Sequence, residues 1–165
     1  MSGLDAAALF AEISIAITGF VSIFVALGSR DGSFPIEEHI HLKSLVGVSL
    51  ACVGGGVTPI IVAQFTSVDS QIWGVSSAFG LVFSIALNVW LTLFAAKRHR
   101  ELTGEPFSNS IVQVVLGLST LVLYVINISP VMGEPDAGLY LLALFIGLVI
   151  CAKEFSTSLF RRFLS

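Results

Sequence analysis

Charged residues are scarce in this sequence, and their scarcity excludes a soluble globular protein. Asp, Glu, Lys and Arg make up 12% of the 165 residues, whereas hydrophobic residues make up 55% and the mean hydropathy is +0.95. A soluble domain carries about 25% charged residues. The chain is therefore expected to have the lipid bilayer as its main partner, and no nucleic acid.

Catalytic and metal-binding motifs are also missing. The two cysteines, Cys52 and Cys151, fall in apolar runs without CxxC spacing, so they are expected to be small core residues. There is no nucleophile–base pair, P-loop, GxGxxG or zinc spacing. Glu38 and His41 have the ExxH spacing of di-iron bundles, but those sites need two such motifs and the sequence has one. We therefore expect no enzymatic activity, no metal and no cofactor.

Five long apolar runs dominate what is present. A helix of roughly 20 apolar residues crosses the hydrocarbon core of about 30 Å. The predicted spans cover residues 4–28, 42–65, 72–96, 110–128 and 137–155. The first run has no basic residues before it and is longer than the roughly 7–15 apolar residues of a signal peptide. It is therefore predicted to be a transmembrane helix of the mature protein. The connections are too short for another domain. The sequence thus predicts an all-α polytopic membrane protein, with residues 1–165 forming one transmembrane helical-bundle domain.

The distribution of Lys and Arg predicts the orientation in the membrane. All eight lie between spans one and two or at the start of span two, between spans three and four, or towards and after the end of span five. They are Arg30, Lys43, Lys97, Arg98, Arg100, Lys153, Arg161 and Arg162. With five spans these regions share one face, which the positive-inside rule makes cytoplasmic. The N-terminus is therefore predicted outside and the C-terminus inside.

An acidic residue, Glu12, lies within the first apolar run. A carboxylate at the centre of a span costs about 2.5–3.5 kcal/mol on insertion scales, and burial favours its neutral form. Span two runs in the opposite direction, which brings Gly55, Thr58 and Pro59 to about the same depth. Pro59 lacks an N–H and displaces the carbonyl of Gly55, four residues earlier. We expect a protonated Glu12 to donate to the Gly55 carbonyl or to exchange a hydrogen bond with Thr58.

These four residues form a candidate intramembrane polar site with two interpretations. In the first, it handles protons or cations, since discontinuous helices build ion sites in transporters. In the second, a neutral Glu12 ties helix one to a kinked helix two that packs closely through its glycines. The second interpretation is preferred, and both stay open.

Span three carries a stripe of small and polar residues at i, i+4 spacing. Its members are Ser76, Gly80, Ser84, Asn88 and Thr92. Such a stripe lets helices approach closely and hydrogen-bond across their interface. It predicts a packing face whose partner is a helix of this chain or of a second chain.

Aromatic and amide residues near the span ends have predicted structural roles. Trp73, Tyr140 and Trp90 are expected to anchor the helices at the membrane–water interfaces. The amides of Gln64, Gln113 and Asn127 are expected to cap or join helix ends.

The phrase AEISIAITGFVSIFVALGSR in span one resembles the opening of small uncharacterised multi-spanning bacterial inner-membrane proteins. The likeness covers about the first thirty residues. It implies a stand-alone multi-pass protein of the cell inner (plasma) membrane, and it transfers no activity.

Two classes of function follow. The first is a non-enzymatic accessory or assembly subunit that packs against other membrane helices in a homo- or hetero-oligomer. The alternative is a small homo-oligomeric channel or proton-coupled carrier, which would use Glu12 and the Gly/Pro-kinked second span.

Overall fold

The computed structural model describes residues 2–28, 36–103, 111–129 and 133–164. Arg30 lies outside these ranges, and the side chains of Glu38, His41 and three further arginines are likewise outside the described part. Within it the chain forms five α-helices, which confirms the predicted all-α architecture. They are α1 (Gly3–Gly28), α2 (Ile36–Val62), α3 (Asp69–Thr103), α4 (Ile111–Ile128) and α5 (Ala137–Leu164).

Four helices contain segments long and apolar enough to cross a membrane. These segments are Gly3–Val21, Leu42–Val62, Asp69–Lys97 and Ala137–Thr157. α4 contributes a shorter apolar stretch, Val112–Ile128, close to the lower limit of about 17 residues for a span. The chain is thus a helical bundle with several candidate membrane spans. The count of five spans and their orientation stay predictions.

Side-chain caps explain where two of the helices begin. At α1, the Ser2 hydroxyl accepts from the Asp5 amide at 3.1 Å, while the Asp5 carboxylate accepts from the Ser2 amide at 2.8 Å. This reciprocal arrangement is a capping box. At α5, the Asp136 carboxylate accepts from the Leu139 amide at 3.1 Å and caps the first turn.

The helices α2, α3, α4 and α5 form a ring in which each contacts the next and α5 closes against α2. α1 packs outside this ring, against α2 and α5. α2 and α5 are antiparallel: Ser49 contacts Cys151, whereas Gly55, farther along α2, lies against Leu144. α5 therefore contacts all four other helices and is the centre of the bundle.

Two aromatic residues predicted as interfacial anchors are buried inside the bundle instead. Trp73 is 5% exposed and Tyr140 is fully buried. The ring of Tyr140 lies 5.6 Å from that of Trp73 and 5.7 Å from that of Tyr124, at the tilted angles that aromatic pairs favour. The prediction is wrong for these two because position along a span does not determine which way a side chain points. Trp90 is about half exposed, and its anchoring role stays a prediction.

Candidate functional site

Three consecutive glycines in α2 let neighbouring helices approach its backbone. A Cβ on Gly55 would lie 2.5 Å from Leu144 Cδ2 of α5. A Cβ on Gly56 would lie 2.5 Å from the carbonyl oxygen of Ala7 in α1. A Cβ on Gly54 would meet no atom within 4 Å. Adjacent glycines thus serve contacts with two different helices, while the third borders open space.

Pro59 leaves the Gly55 carbonyl without its helical donor, as the sequence predicts. The hydroxyl of Tyr140, on α5, donates to this carbonyl at 2.6 Å. Tyr140 is fully buried, so the bond is made away from lipid and satisfies a backbone group that the membrane interior could not solvate. The acceptor was predictable from the proline, whereas the donor is on a helix that sequence reasoning did not consider.

Glu12 does not take part in this arrangement. Its side chain is exposed on the outer surface of α1 and makes no hydrogen bond within the described residues. The Thr58 hydroxyl donates at 2.7 Å to Gly54 in its own helix. The predicted hydrogen bond between Glu12 and span two is therefore wrong.

The rotation of α1 about its own axis explains the position of Glu12. α1 presents Ala7, Ala11 and Ser14 to the bundle, and all three are buried. Ala11 packs on Gly56, where a Cβ would lie 2.8 Å from Ala11 Cβ. Glu12 is the next residue, about 100° further around a helix of 3.6 residues per turn. The close contact of Ala11 with Gly56 therefore turns Glu12 away from α2.

The stripe on α3 packs against α4 of the same chain along part of its length. A Cβ on Gly80 would lie 2.6 Å from Tyr124 Cζ, and a Cβ on Gly117 would lie 3.2 Å from Asn88 Oδ1. Ser76 is fully buried, and its hydroxyl has no hydrogen-bond partner in the described part of the chain. Ser84 is half-buried and Thr92 is exposed. For Gly80 and Asn88, the packing partner left open by the sequence is thus α4.

A charged cluster lies in the second half of α5, within the apolar segment Ala137–Thr157. Lys153 Nζ donates to Gln113 Oε1 at 2.9 Å and to Glu154 Oε1 at 2.8 Å. Gln113 Nε2 in turn lies 3.5 Å from Ser44 Oγ, which links α4 to α2. Glu154 is 2% exposed, so this carboxylate is far more buried than Glu12. Sequence reasoning missed it because Lys153 and Glu154 lie near the end of the predicted fifth span and resemble a solvated helix end.

A second polar cluster joins three elements at the opposite end of the bundle. Asn127 Nδ2 donates to Ser77 Oγ at 2.8 Å and to the Asp136 carbonyl at 3.1 Å. The Asp136 amide donates to Asn127 Oδ1 at 2.9 Å. Asn127 is 1% exposed, and its amide connects α4, α3 and the segment before α5. The predicted joining roles of Asn127 and Gln113 are confirmed. Gln64 is exposed, and its side chain makes no hydrogen bond among the described residues.

Both thiols are free and buried, as expected of small core residues. Cys52 Sγ would lie 2.7 Å from a Cβ on Gly147, and Cys151 Sγ lies 3.5 Å from Ser49 Oγ. They contribute to the close packing of α2 on α5. Within the described ranges, no three His, Cys, Asp or Glu residues are grouped so that they could hold a metal ion.

A cavity of about 150 Å³ lies within the four-helix ring, lined by residues of α2, α3, α4 and α5. Most of the lining side chains are apolar. Its polar lining includes Thr58, Ser84, Asn88, Gln113, Thr120 and Tyr124. The cavity therefore brings Thr58 near members of the α3 stripe, while Glu12 lies elsewhere.

No known family model, curated protein or solved structure matches this chain.

Proposed function

We propose that this chain is a multi-pass protein of the cell inner membrane that assembles with another membrane chain through the outer face of α1. Its role would be that of an accessory or assembly subunit without enzymatic activity. The observation that carries the proposal is Glu12, a carboxyl group exposed within an apolar helix and without an intramolecular partner in the described residues. Carboxyl groups that face hydrocarbon are costly, so a polar partner from a second chain would recover that cost.

The surroundings of Glu12 support a helix-packing role. Leu9, Glu12, Ala16, Gly19 and Ile23 are all exposed, and their spacing alternates between three and four residues. We call these five residues the α1 face. The same spacing forms the contact seam between packed helices. A Cβ on Gly19 would meet no atom within 4 Å, so a second helix could approach the backbone closely there.

A five-span topology with the N-terminus outside is part of the proposal. It is supported by the distribution of Lys and Arg, which lie in alternate connections, at the span ends next to them and in the second half of α5. It requires α4 to span the membrane with an apolar stretch of 17 residues, which is short but within the observed range of about 17–25.

The alternative, a channel or proton-coupled carrier, requires Glu12 and the second span to line one path. Glu12 is exposed on the outside of α1, whereas Gly55 contacts α5 and Pro59 is buried. Glu12 and the second span therefore do not line a common transport path within one chain. No observation favours this alternative, and it remains an outcome of the test below.

Photo-cross-linking in living membranes tests the assembly proposal. A benzophenone amino acid at position 16, on the α1 face, is expected to give a covalent adduct with a second protein. The same group at Val82, an exposed residue of α3, is the matched control and should contact lipid only. The adduct should persist with Glu12→Gln, which keeps a hydrogen-bonding group, and should be lost with Glu12→Leu.

The outcomes separate the alternatives. An adduct that is insensitive to Glu12→Leu, or no adduct at position 16, would contradict the proposal. A ladder of self-adducts that ends at a closed ring would favour the channel instead.

A further inference from the structure

The cavity inside the four-helix ring contains an unpartnered polar group. Tyr124 is only 3% exposed, and its side chain lines the cavity. Its hydroxyl makes no hydrogen bond in the part of the chain that the structure describes. Buried hydroxyls of tyrosine usually find a partner. Tyr140 in the same bundle follows this rule, because its hydroxyl donates to the Gly55 carbonyl. The Tyr124 hydroxyl has no such partner among the described residues.

Two other polar residues of the cavity also have atoms without hydrogen-bond partners among the described residues. The hydroxyls of Thr58 and Thr120 donate to carbonyls of their own helices. Asn88 Nδ2 donates to the Ser84 carbonyl, which leaves Asn88 Oδ1 and the Ser84 hydroxyl without hydrogen bonds among the described residues. Tyr124, Ser84 and Asn88 therefore offer hydrogen-bonding atoms from α4 and α3 to one apolar space.

The size of the cavity limits what it could hold. A dry apolar cavity of about 150 Å³ is large enough to bind benzene, and this cavity has about the same volume. No charged residue of the described ranges lines it, so the occupant is neutral. A simple acyl chain would leave Tyr124, Ser84 and Asn88 without partners. A ring that bears a hydroxyl or carbonyl oxygen fits both the volume and the polar groups.

The exposed residues that line the cavity indicate that it opens towards the bilayer rather than towards water. Gly54 of α2 and Phe79 and Phe83 of α3 line the cavity and are also exposed, so the opening lies between these two helices. All three residues are in the middle of apolar segments. A ligand that enters there comes from the hydrocarbon region, and a hydrophobic tail could remain in the opening.

We propose that this cavity binds the oxygen-bearing ring of a neutral, membrane-dissolved molecule, a phenol or quinone, with Tyr124 as its hydrogen-bonding partner. The site is separate from the α1 face, and it stands or falls independently of the assembly role. The glycine at position 54 keeps the opening free, since a side chain there would extend into unfilled space.

Binding of a small probe to the full-length protein in lipid nanodiscs tests the proposal. The probe is 4-fluorophenol, followed by fluorine NMR, with empty nanodiscs to subtract partition into lipid. Saturable binding is expected for the wild type. Tyr124→Phe removes one hydroxyl that has no hydrogen bond, so the fold should persist, and affinity should fall roughly two- to tenfold. Fluorobenzene, which lacks the hydroxyl, should bind both proteins equally.

Two further variants test the location. Gly54→Leu fills the opening and should abolish binding of both probes, whereas Val82→Leu, on the exposed surface of α3, should leave binding unchanged. Thermal unfolding in the same nanodiscs checks that each variant is folded.

The proposal is overturned if wild-type and empty nanodiscs take up 4-fluorophenol equally, which would mean that water or lipid fills the cavity. It is also overturned if Tyr124→Phe leaves 4-fluorophenol binding unchanged.

Discussion

At the scale of single residues, the Gly55 carbonyl is satisfied by a tyrosine from another helix. Pro59 has no N–H to donate to it, and Tyr140 Oη donates instead at 2.6 Å. In hydrocarbon an unsatisfied carbonyl costs more than in water, where solvent replaces the lost donor. The proline and the tyrosine are therefore expected to depend on each other energetically.

Replacing Tyr140 tests this dependence. Tyr140→Phe should lower the free energy of unfolding by about 1 kcal/mol, near the values measured for hydrogen bonds within membranes. Tyr124→Phe is the matched control, because that hydroxyl has no hydrogen bond among the described residues and its loss should change stability little. The measurement is reversible unfolding in mild detergent. Equal losses for the two variants would show that the bond to Gly55 contributes nothing of its own.

A double-mutant cycle tests whether Tyr140 stabilises the bundle through its hydrogen bond to the Gly55 carbonyl. Pro59→Ala restores an N–H that can donate to Gly55, so Tyr140→Phe should cost less in that background than in the wild type. Additive effects would mean that Tyr140 stabilises the bundle through ring packing alone.

At the scale of helices, α3 is the longest and the least enclosed. In an 18-residue apolar stretch of its segment Asp69–Lys97 only 6% of the residues are buried, compared with 39% for the corresponding stretch of α5. Its contact with α4 is concentrated at the stripe, where Gly80 lies against the Tyr124 ring. Since lipid is as apolar as the side chains it would replace, close packing at such small residues is what holds membrane helices together.

Gly80→Leu should therefore separate α3 from α4. A Cβ at this position would already lie 2.6 Å from Tyr124 Cζ, and overpacking of a close contact costs about 1–3 kcal/mol. Ala78→Leu, on the exposed surface of the same helix, is the control and should be tolerated. Both are compared by thermal unfolding in detergent. Similar melting temperatures for the two variants would exclude the stripe as an important interface.

At the scale of the whole molecule, α1 packs outside a ring of the other four helices. α1 packs mainly against α2 and α5, and the α1 face is exposed on the other side of this helix. The odd number of predicted spans would place the two termini on opposite sides of the membrane. Orientation then follows from the basic residues alone.

Reporter fusions test the orientation. A reporter that is active only in the periplasm should be active when fused before Met1 and inactive when fused after Ser165. A cytoplasm-only reporter should give the opposite pattern. Periplasmic activity at both termini would indicate an even number of spans, with α4 the first candidate to lie outside the membrane.

By itself the sequence determined the helical, membrane-embedded class, since run length and hydropathy are local properties. It also determined that Gly55 would need an outside donor, because the effect of Pro59 acts within one helix, and that the stripe at Gly80 would pack closely. Only the tertiary structure decided the donor to Gly55, the rotation of α1 and the burial of Trp73. The physical reason is that sequence gives the depth of a residue along a span. The direction of its side chain depends on which neighbours pack against that helix, and at Ala11 on Gly56 a single close contact turns Glu12 outward.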